Sequence, residues 1–423
     1  MNNTKLIRIF SLSLRILTMA SKFLLVFLLA RFLAPAELGV FGLLSATIGY
    51  ALYLLGFDFY TFTTREIAKH DMSQWGGLLK CQAAISLLLY LIVLPLLTLI
   101  FIEGLLPWRF AGWFFLLIVI EHLTQELGRL LIAISEPLIA SVILFLRQGI
   151  WAIAIVALML LAPETRSLDY VLGGWSLGGL CGLALGLHRL WRLKLGGWHR
   201  RIDWAWIGRG LKVAASLLIA TLAIRGVLTL DRYWLQILSG AEVLAAYVLY
   251  MNIGNALMSF LDAGVFSFTY PAMVNAWQKG NMIEFNKALA NLTRQTSIVS
   301  GSFFIAALLL ISPLLQWLGK DIYITHRNMF PWILAATTVY GLGMIPHYAL
   351  YAVGRDRSII TCHLLTLPLF ILLVWILSAY DKNLAVAISL FASFLFILIW
   401  KFTAFALIKN NLTTRSYTNS AKA

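Results

Sequence analysis

The stretch LIRIFSLSLRILTMASKFLLVFLLARFLAPAELGV, residues 6–40, decides how the rest of the chain is read. Between Ile9 and Leu33 it is apolar and long enough to cross the roughly 30 Å hydrocarbon layer of a bilayer as a helix. Within it, Arg8, Arg15 and Lys22 stand seven residues apart. Seven residues is almost two helical turns, so the cations form a comb down one face that drifts by about 20° per step. With Arg8 at the membrane surface, Arg15 lies roughly 10 Å and Lys22 roughly 20 Å below it. A cation at that depth costs about 2.5–3.5 kcal/mol on insertion scales, so it faces protein or a watery cavity and meets something negative. Two readings follow: an anion-handling path through the membrane, or structural ion pairs with acids of neighbouring helices.

Composition extends this reading to the whole chain. Of 423 residues 61% are hydrophobic and 12% charged, and the mean hydropathy is +0.86, whereas soluble domains hold about 25% charged residues. The chain is read as a polytopic membrane protein. Its basic start followed by apolar residues has the outline of a signal peptide. Arg15 and Lys22 interrupt that apolar core, however, and no small-residue cleavage site follows, so the segment is read as a retained first span. Cys81, Cys181 and Cys362 are widely separated within apolar stretches, which argues against a disulfide framework or a metal cluster. A net charge of +15 suits anionic membrane lipids or an anionic cargo, while nucleic acid is excluded for want of a sizeable soluble domain.

Apolar windows predict an all-α integral membrane fold of about 12 transmembrane helices. The cores of the first six are Ile9–Leu33, Leu38–Phe57, Leu78–Ile102, Phe110–Ile134, Leu138–Leu161 and Tyr170–Leu190. The second six are Val213–Leu238, Leu244–Thr269, Thr296–Leu318, Met329–Ala352, Ile359–Leu377 and Leu384–Leu407. With the N-terminus inside, one side collects Lys5, Arg65, Lys69, Lys80, Arg129, Arg189, Arg200, Arg201, Arg294, Arg355, Lys409, Arg415 and Lys422 among others. The other side holds only Arg109, Arg166, Arg232, Lys320, Arg327 and Lys382. The positive-inside rule then places both termini of a multi-pass protein in the cytoplasm.

Residues 1–190 form an expected N-terminal six-helix lobe, residues 191–210 an amphipathic cytoplasmic linker, and residues 211–423 a C-terminal six-helix lobe with a short tail. The linker interleaves Trp191, Trp198, Trp204 and Trp206 with Arg192, Lys194, Arg200 and Arg201, a mixture that favours the headgroup layer. A displacement of 205 positions lays Leu33-Ala34-Pro35-Ala36-Glu37-Leu38 on Leu238-Ser239-Gly240-Ala241-Glu242-Val243, Gly49 on Gly254 and Thr64 on Thr269. Because the displacement spans an even number of helices, the lobes are expected to be parallel repeats about an axis along the membrane normal.

The passage Leu28-Leu29-Ala30-Arg31-Phe32-Leu33-Ala34-Pro35-Ala36-Glu37-Leu38-Gly39-Val40-Phe41 resembles the opening of polysaccharide-biosynthesis flippases of the multidrug/oligosaccharidyl-lipid/polysaccharide exporter superfamily. Gly56-Phe57-Asp58 and Thr64-Arg65-Glu66-Ile67-Ala68-Lys69 resemble that family's second helix and the loop after it. The resemblance implies two six-helix bundles around a central cavity. It also implies export, by alternating access, of an undecaprenyl-pyrophosphate-linked oligosaccharide from the cytoplasmic to the outer leaflet for cell-surface polysaccharide synthesis. Polysaccharide polymerase or assembly proteins would be its partners. The competing reading is a cation-coupled multidrug antiporter of the same superfamily; an integral-membrane polysaccharide-processing enzyme is a third. No enzymatic activity, cofactor or metal is expected.

A pyrophosphate needs compensation when it leaves water, and arginine forks and lysine ammonium groups supply it. Arg15, Lys22, Arg147 and Arg225 lie inside predicted spans and are the expected substrate contacts, with Arg31 nearer the outer surface, where it either meets substrate, anchors that surface or pairs with Glu37. In the fourth span Glu121, Gln125 and Arg129 recur on one helical face with Glu126 to its side. Glu121 and Glu126 are expected counter-ions to Arg15, Lys22 or Arg147, or proton carriers. Asp58 and Asp262, at nearly corresponding places in the halves, either cap helices or gate the cavity. Asp231-Arg232 is read as an outer-surface charge patch, and His122, His188, His347 and His363 show no metal-ligand spacing.

Overall fold

The structure is a computed structural model that describes residues 2–420, with side chains from 10 to 408 other than those of 216 and 217. Arg8 and Lys5 of the N-terminal comb, and the tail cations Lys409, Arg415 and Lys422, have side chains outside the described residues. Among the described residues every regular element is helical. Ten helical stretches among the described residues are long and apolar enough to cross a membrane. One of them, Leu218–Gln278, is 61 residues long and breaks at Gly240, whose φ of 85° and ψ of 175° lie outside any helix. The chain reverses there, because the Tyr247 hydroxyl reaches the Asp231 carboxylate at 2.8 Å across 16 residues that would span about 24 Å as straight helix. Separating the two arms, and adding the 23-residue helix Ala111–Ala133, whose middle is too charged to count as apolar, gives the twelve crossings that the hydropathy predicts.

Two compact units divide the chain, Met1–Leu222 and Ala223–Ala423. The first contains α1 (Asn2–Phe32), α2 (Pro35–Gly56), α3 (Tyr60–Ile67), α4 (Met72–Ile102), α5 (Ala111–Ala133), α6 (Pro137–Phe145), α7 (Trp151–Leu161), α8 (Leu168–Arg192) and the start of α9 (Trp204–Leu261). Pro35 and Pro137 open their helices at the first turn, where a missing N–H costs nothing. A wider, π-helical turn, Leu146–Ile150, joins α6 and α7 into one rod. Helix α5 packs on α8, α6 and α2, and α1 on α6 and α7, over a core that includes Phe101, Phe114, Leu117 and Ile118.

The second unit contains the rest of α9, a π-helical turn Asp262–Phe266, α10 (Ser267–Gln278), α11 (Met282–Leu318), α12 (Asp321–Thr325), α13 (Met329–Ala352), α14 (Asp356–Leu377) and α15 (Ala385–Ser420). Helix α13 packs on α15 and α11, and α14 on α15. Both units interrupt helices at matching sequence positions. Pro35 and Gly240 stand 205 residues apart at a helix break, as do the left-handed Phe57 (φ 50°) that closes α2 and Asp262 at the start of its π-helical turn.

Residues 191–210 are held to the first unit. The Gly76 amide donates to the Gly196 carbonyl at 2.8 Å and the Gly196 amide to that of Met72 at 3.2 Å. Lys80 donates to the Trp198 and Arg200 carbonyls, and the Asp203 amide points at Cys81 Sγ. Trp191, Trp198 and Trp204 remain exposed, while Trp206 is buried against Phe59 and Phe62 and donates to Glu66 Oε2 at 3.4 Å. The hydrogen bond from Lys69, aided by that from Trp206, holds the Glu66 carboxyl below its ordinary range. A depressed carboxyl stabilises the fold above its unfolded pKa, so this hold is complete near neutrality and is lost only as pH falls through the lowered value.

The close approach at Gly196 gives a test. A Cβ there would lie 2.8 Å from the Cα and carbonyl oxygen of Ser73, backbone atoms that cannot swing aside. Gly196→Ala is expected to detach the linker and speed tryptic cleavage at Arg200 and Arg201, with intact membrane insertion. Unchanged cleavage would show that these hydrogen bonds do not hold the linker.

Candidate functional site

The charges inside the first unit gather around α5. Placing Glu121, His122, Glu126 and Arg129 in one span forces that helix to turn its polar side inward, because lipid offers no partner. Glu121 and His122 are buried. The Glu121 carboxylate lies 3.6 Å from Arg147, which also donates to the Glu121 carbonyl at 3.3 Å. Trp175 of α8 donates to the other carboxylate oxygen at 2.7 Å. Its ring stacks on Trp151, with centroids 5.9 Å apart and an 8° tilt, and Trp151 donates back to the Arg147 carbonyl at 2.8 Å. Four side chains from three segments therefore close a ring of contacts. The π-helical turn Leu146–Ile150 shifts Arg147 round its rod so that it meets α5.

Lys22 joins this group from α1. Its ammonium donates to Gln148, the residue after Arg147, at 2.9 Å, and it lies within electrostatic reach of Glu121 and Arg147. The remainder of the Lys22 side chain is exposed on the α1 face, as is that of Arg15.

A second group sits on the next turns of α5. Glu126 pairs with Arg129 at 2.7 Å and accepts from Gln82 of α4 at 2.6 Å. The Arg129 guanidinium lies 3.7 Å from the Tyr60 ring centroid, a cation–π contact. Asp58 is within electrostatic reach of Glu126 and Tyr60. His122 Nδ1 is 2.7 Å from the Tyr90 hydroxyl, while its Nε2 is buried without a hydrogen-bond partner among the described residues.

The expected contacts therefore fall in different places. Arg147 is buried and compensated by Glu121, Lys22 is tied to Gln148, and Arg15 and Arg31 are exposed on α1. Glu37, a candidate partner for Arg31, is 3.6 Å from Arg109. In the second unit Arg225 is exposed, with Asp262, also exposed, within its electrostatic reach. Asp58 lies two residues before α3, and Asp262 opens the π-helical turn that follows α9. Asp231-Arg232 is not a surface patch: Asp231 is 0% exposed and accepts from Tyr247, the Arg232 amide and the Arg232 guanidinium. The reversal at Gly240 brings Tyr247 back over it and covers what the sequence leaves at a span end. Sequence reasoning also missed the buried Lys401 of α15, although a lone lysine in the last apolar span was its signal.

No protein-family model matches the sequence, and no curated protein does. Solved structures do share the fold. An inward-facing multidrug-resistance transporter of the MATE family, of the MOP superfamily, superposes with a TM-score of 0.74 at 12% identity, over 95% of this chain and 99% of its own. An outward-facing multidrug-resistance MATE transporter superposes with a TM-score of 0.64 at 11% identity, over 97% and 99%. The MATE transporter VcmN of Vibrio cholerae, in a mutant form, gives 0.53 at 11% identity over 96% of each chain. The chain is a multi-pass membrane protein with the fold of MATE transporters, and these neighbours are transporters rather than enzymes.

Proposed function

We propose that the chain is a secondary exporter that works by alternating access and is coupled to cation entry, in the manner of a multidrug antiporter. The observation that carries this reading is superposition along 95% of the chain on a transporter described as inward-facing and along 97% on one described as outward-facing. The buried acids fit it: Glu121 and Glu126 each pair with a basic partner, Arg147 and Arg129, and sit where a proton or sodium ion would exchange with that partner. The test is export of a cationic dye from vesicles containing the full chain, under an imposed proton or sodium gradient. Dye movement that follows the gradient is expected, and dye movement indifferent to both gradients would overturn the reading.

A second cargo is favoured by one specific observation. Residues 28–41 resemble the polysaccharide-biosynthesis flippases, and the cations Arg15 and Lys22 are exposed on the same helix, where a pyrophosphate headgroup finds compensation. The same vesicles, loaded with a labelled undecaprenyl-pyrophosphate-linked oligosaccharide, test it. Arg15→Ala and Lys22→Ala are each expected to slow flipping by about tenfold, the equivalent of about 1.4 kcal/mol. Normal rates in both variants would reject the comb as a path for the headgroup, and an unchanged leaflet distribution with wild-type protein would reject the cargo. In either case polymerase or assembly proteins of surface-polysaccharide synthesis are partners only under this second reading.

A further inference from the structure

The second unit contains a basic cluster that neither reading uses. Lys401 lies on α15 inside the apolar span Ala385–Ile408 and is 1% exposed. Its Nζ is 3.1 Å from Nδ1 of His347 on α13 and 3.1 Å from Nε2 of His363 on α14. The two imidazoles face each other nearly parallel, with centroids 6.1 Å apart and an 11° tilt. Three helices that pack together thus each contribute one nitrogen. Tyr348 of α13 stands edge-on to His347, and Cys362 of α14 is within electrostatic reach of Lys401; Tyr340 of α13 packs on Phe394 of α15. Among the described residues no carboxylate forms an ion pair with Lys401.

Hydrogen-bond accounting shows what such a cluster can do. An ammonium has three N–H donors and no lone pair, so with Lys401 charged both facing ring nitrogens must be acceptors. Without that proton Lys401 is an amine with one lone pair. It then accepts from one imidazole, whose proton moves to the facing nitrogen, and donates to the other. Both states keep both hydrogen bonds, and they differ by one proton. A second added proton would set two cations 3.1 Å apart. The Glu121–Arg147 pair differs, because each of its charges is held by the other.

We propose that Lys401, His347 and His363 form a proton-binding site in the second unit, which holds one proton or none. Two of the helices that meet there carry a proline close by. Pro346 stands directly before His347 and Pro368 five residues after His363, and each removes an intrahelical hydrogen bond. Loading the proton changes which atoms donate across the α13–α15 and α14–α15 contacts, beside the weakest points of α13 and α14.

The test requires no transport assay, so its outcome is independent of the cargo and coupling proposed above. The full chain, labelled with ¹⁵N at lysine and histidine, is placed in lipid vesicles and followed by solid-state NMR between pH 5 and 10. One lysine resonance, absent from Lys401→Arg, is expected to change from ammonium to amine, and one histidine to change tautomer at the same midpoint while the other keeps its own. His363→Gln, which keeps Lys401 in place, provides a second reading in which that midpoint shifts. A Lys401 resonance that stays ammonium throughout, or histidines that titrate at midpoints unrelated to it, would overturn the proposal.

Discussion

Arg147→Ala is expected to cost the folded protein about 3–5 kcal/mol, and Glu121→Ala a similar amount, because each leaves the other charge buried without its partner. The side chains of Arg147 and Glu121 are 9% and 4% exposed, so water cannot take over for the lost ion. Glu121→Ala also strands the Trp175 indole N–H, which donates to the carboxylate at 2.7 Å. Arg147→Met combined with Glu121→Gln is expected to recover most of the loss. It removes both charges together and keeps an acceptor for Trp175. Thermal unfolding of the wild type, Arg147→Met, Glu121→Gln and the double variant in the same lipid or detergent, read as a double-mutant cycle, measures the coupling. A double variant as unstable as the sum of the singles would show that the two charges do not stabilise each other.

That ring of contacts was only partly legible in the sequence. The shared face of Glu121, Gln125 and Arg129 follows from their spacing, but Glu126, expected to meet Arg15, Lys22 or Arg147, pairs with Arg129 at 2.7 Å. The acids of α5 point inward because a charged span has no alternative, and that too follows from sequence. Which cation reaches which acid does not. Arg147 meets Glu121 through the extra residue of a π-helical turn, and Gln148 thereby becomes the contact of Lys22. A rotation caused by one inserted residue leaves no mark on hydropathy. The buried Asp231 was misplaced for a related reason, since Tyr247, which covers it, lies beyond the reversal at Gly240.

Span boundaries show the same division between local and distant causes. Hydropathy begins the ninth span at Thr296, whereas α11 starts at Met282. Half of the added residues are polar, so apolar windows pass over them, yet their start is written in the chain. Asn281 accepts from the Glu284 amide at 3.0 Å and donates to the Glu284 carboxylate at 3.2 Å, the reciprocal cap of an N-x-x-E sequence. Capping chemistry therefore locates the helix end that composition misses. The break at Gly240 is equally local, because its φ of 85° suits glycine and few other residues.

Gly178→Ala is expected to damage the same site from a distance, without touching a charge. Gly178 lies on α8, where a Cβ would stand 2.6 Å from the Leu146 carbonyl oxygen and 2.6 Å from the Trp151 ring. A flexible side chain would yield, but that oxygen opens the π-helical turn carrying Arg147. To make room, either α8 moves off or the turn rewinds, and overpacking of this kind costs about 1–3 kcal/mol and occasionally more. Rewinding would rotate Arg147 away from Glu121, so its cost should overlap with that of Arg147→Ala. The double variant Gly178→Ala, Arg147→Ala is then expected to be less destabilised than the sum of its parts. Gly173→Ala, on the same helix, separates this effect from any general sensitivity of α8. There the added Cβ meets only the Trp113 ring, at an ordinary 3.6 Å, and alanine's higher helix propensity should leave stability unchanged or raised by up to about 1 kcal/mol. Thermal unfolding of the two alanine variants, measured beside Arg147→Ala, decides the matter. Equal melting temperatures for Gly178→Ala and Gly173→Ala would mean that α8 does not set the turn that aims Arg147.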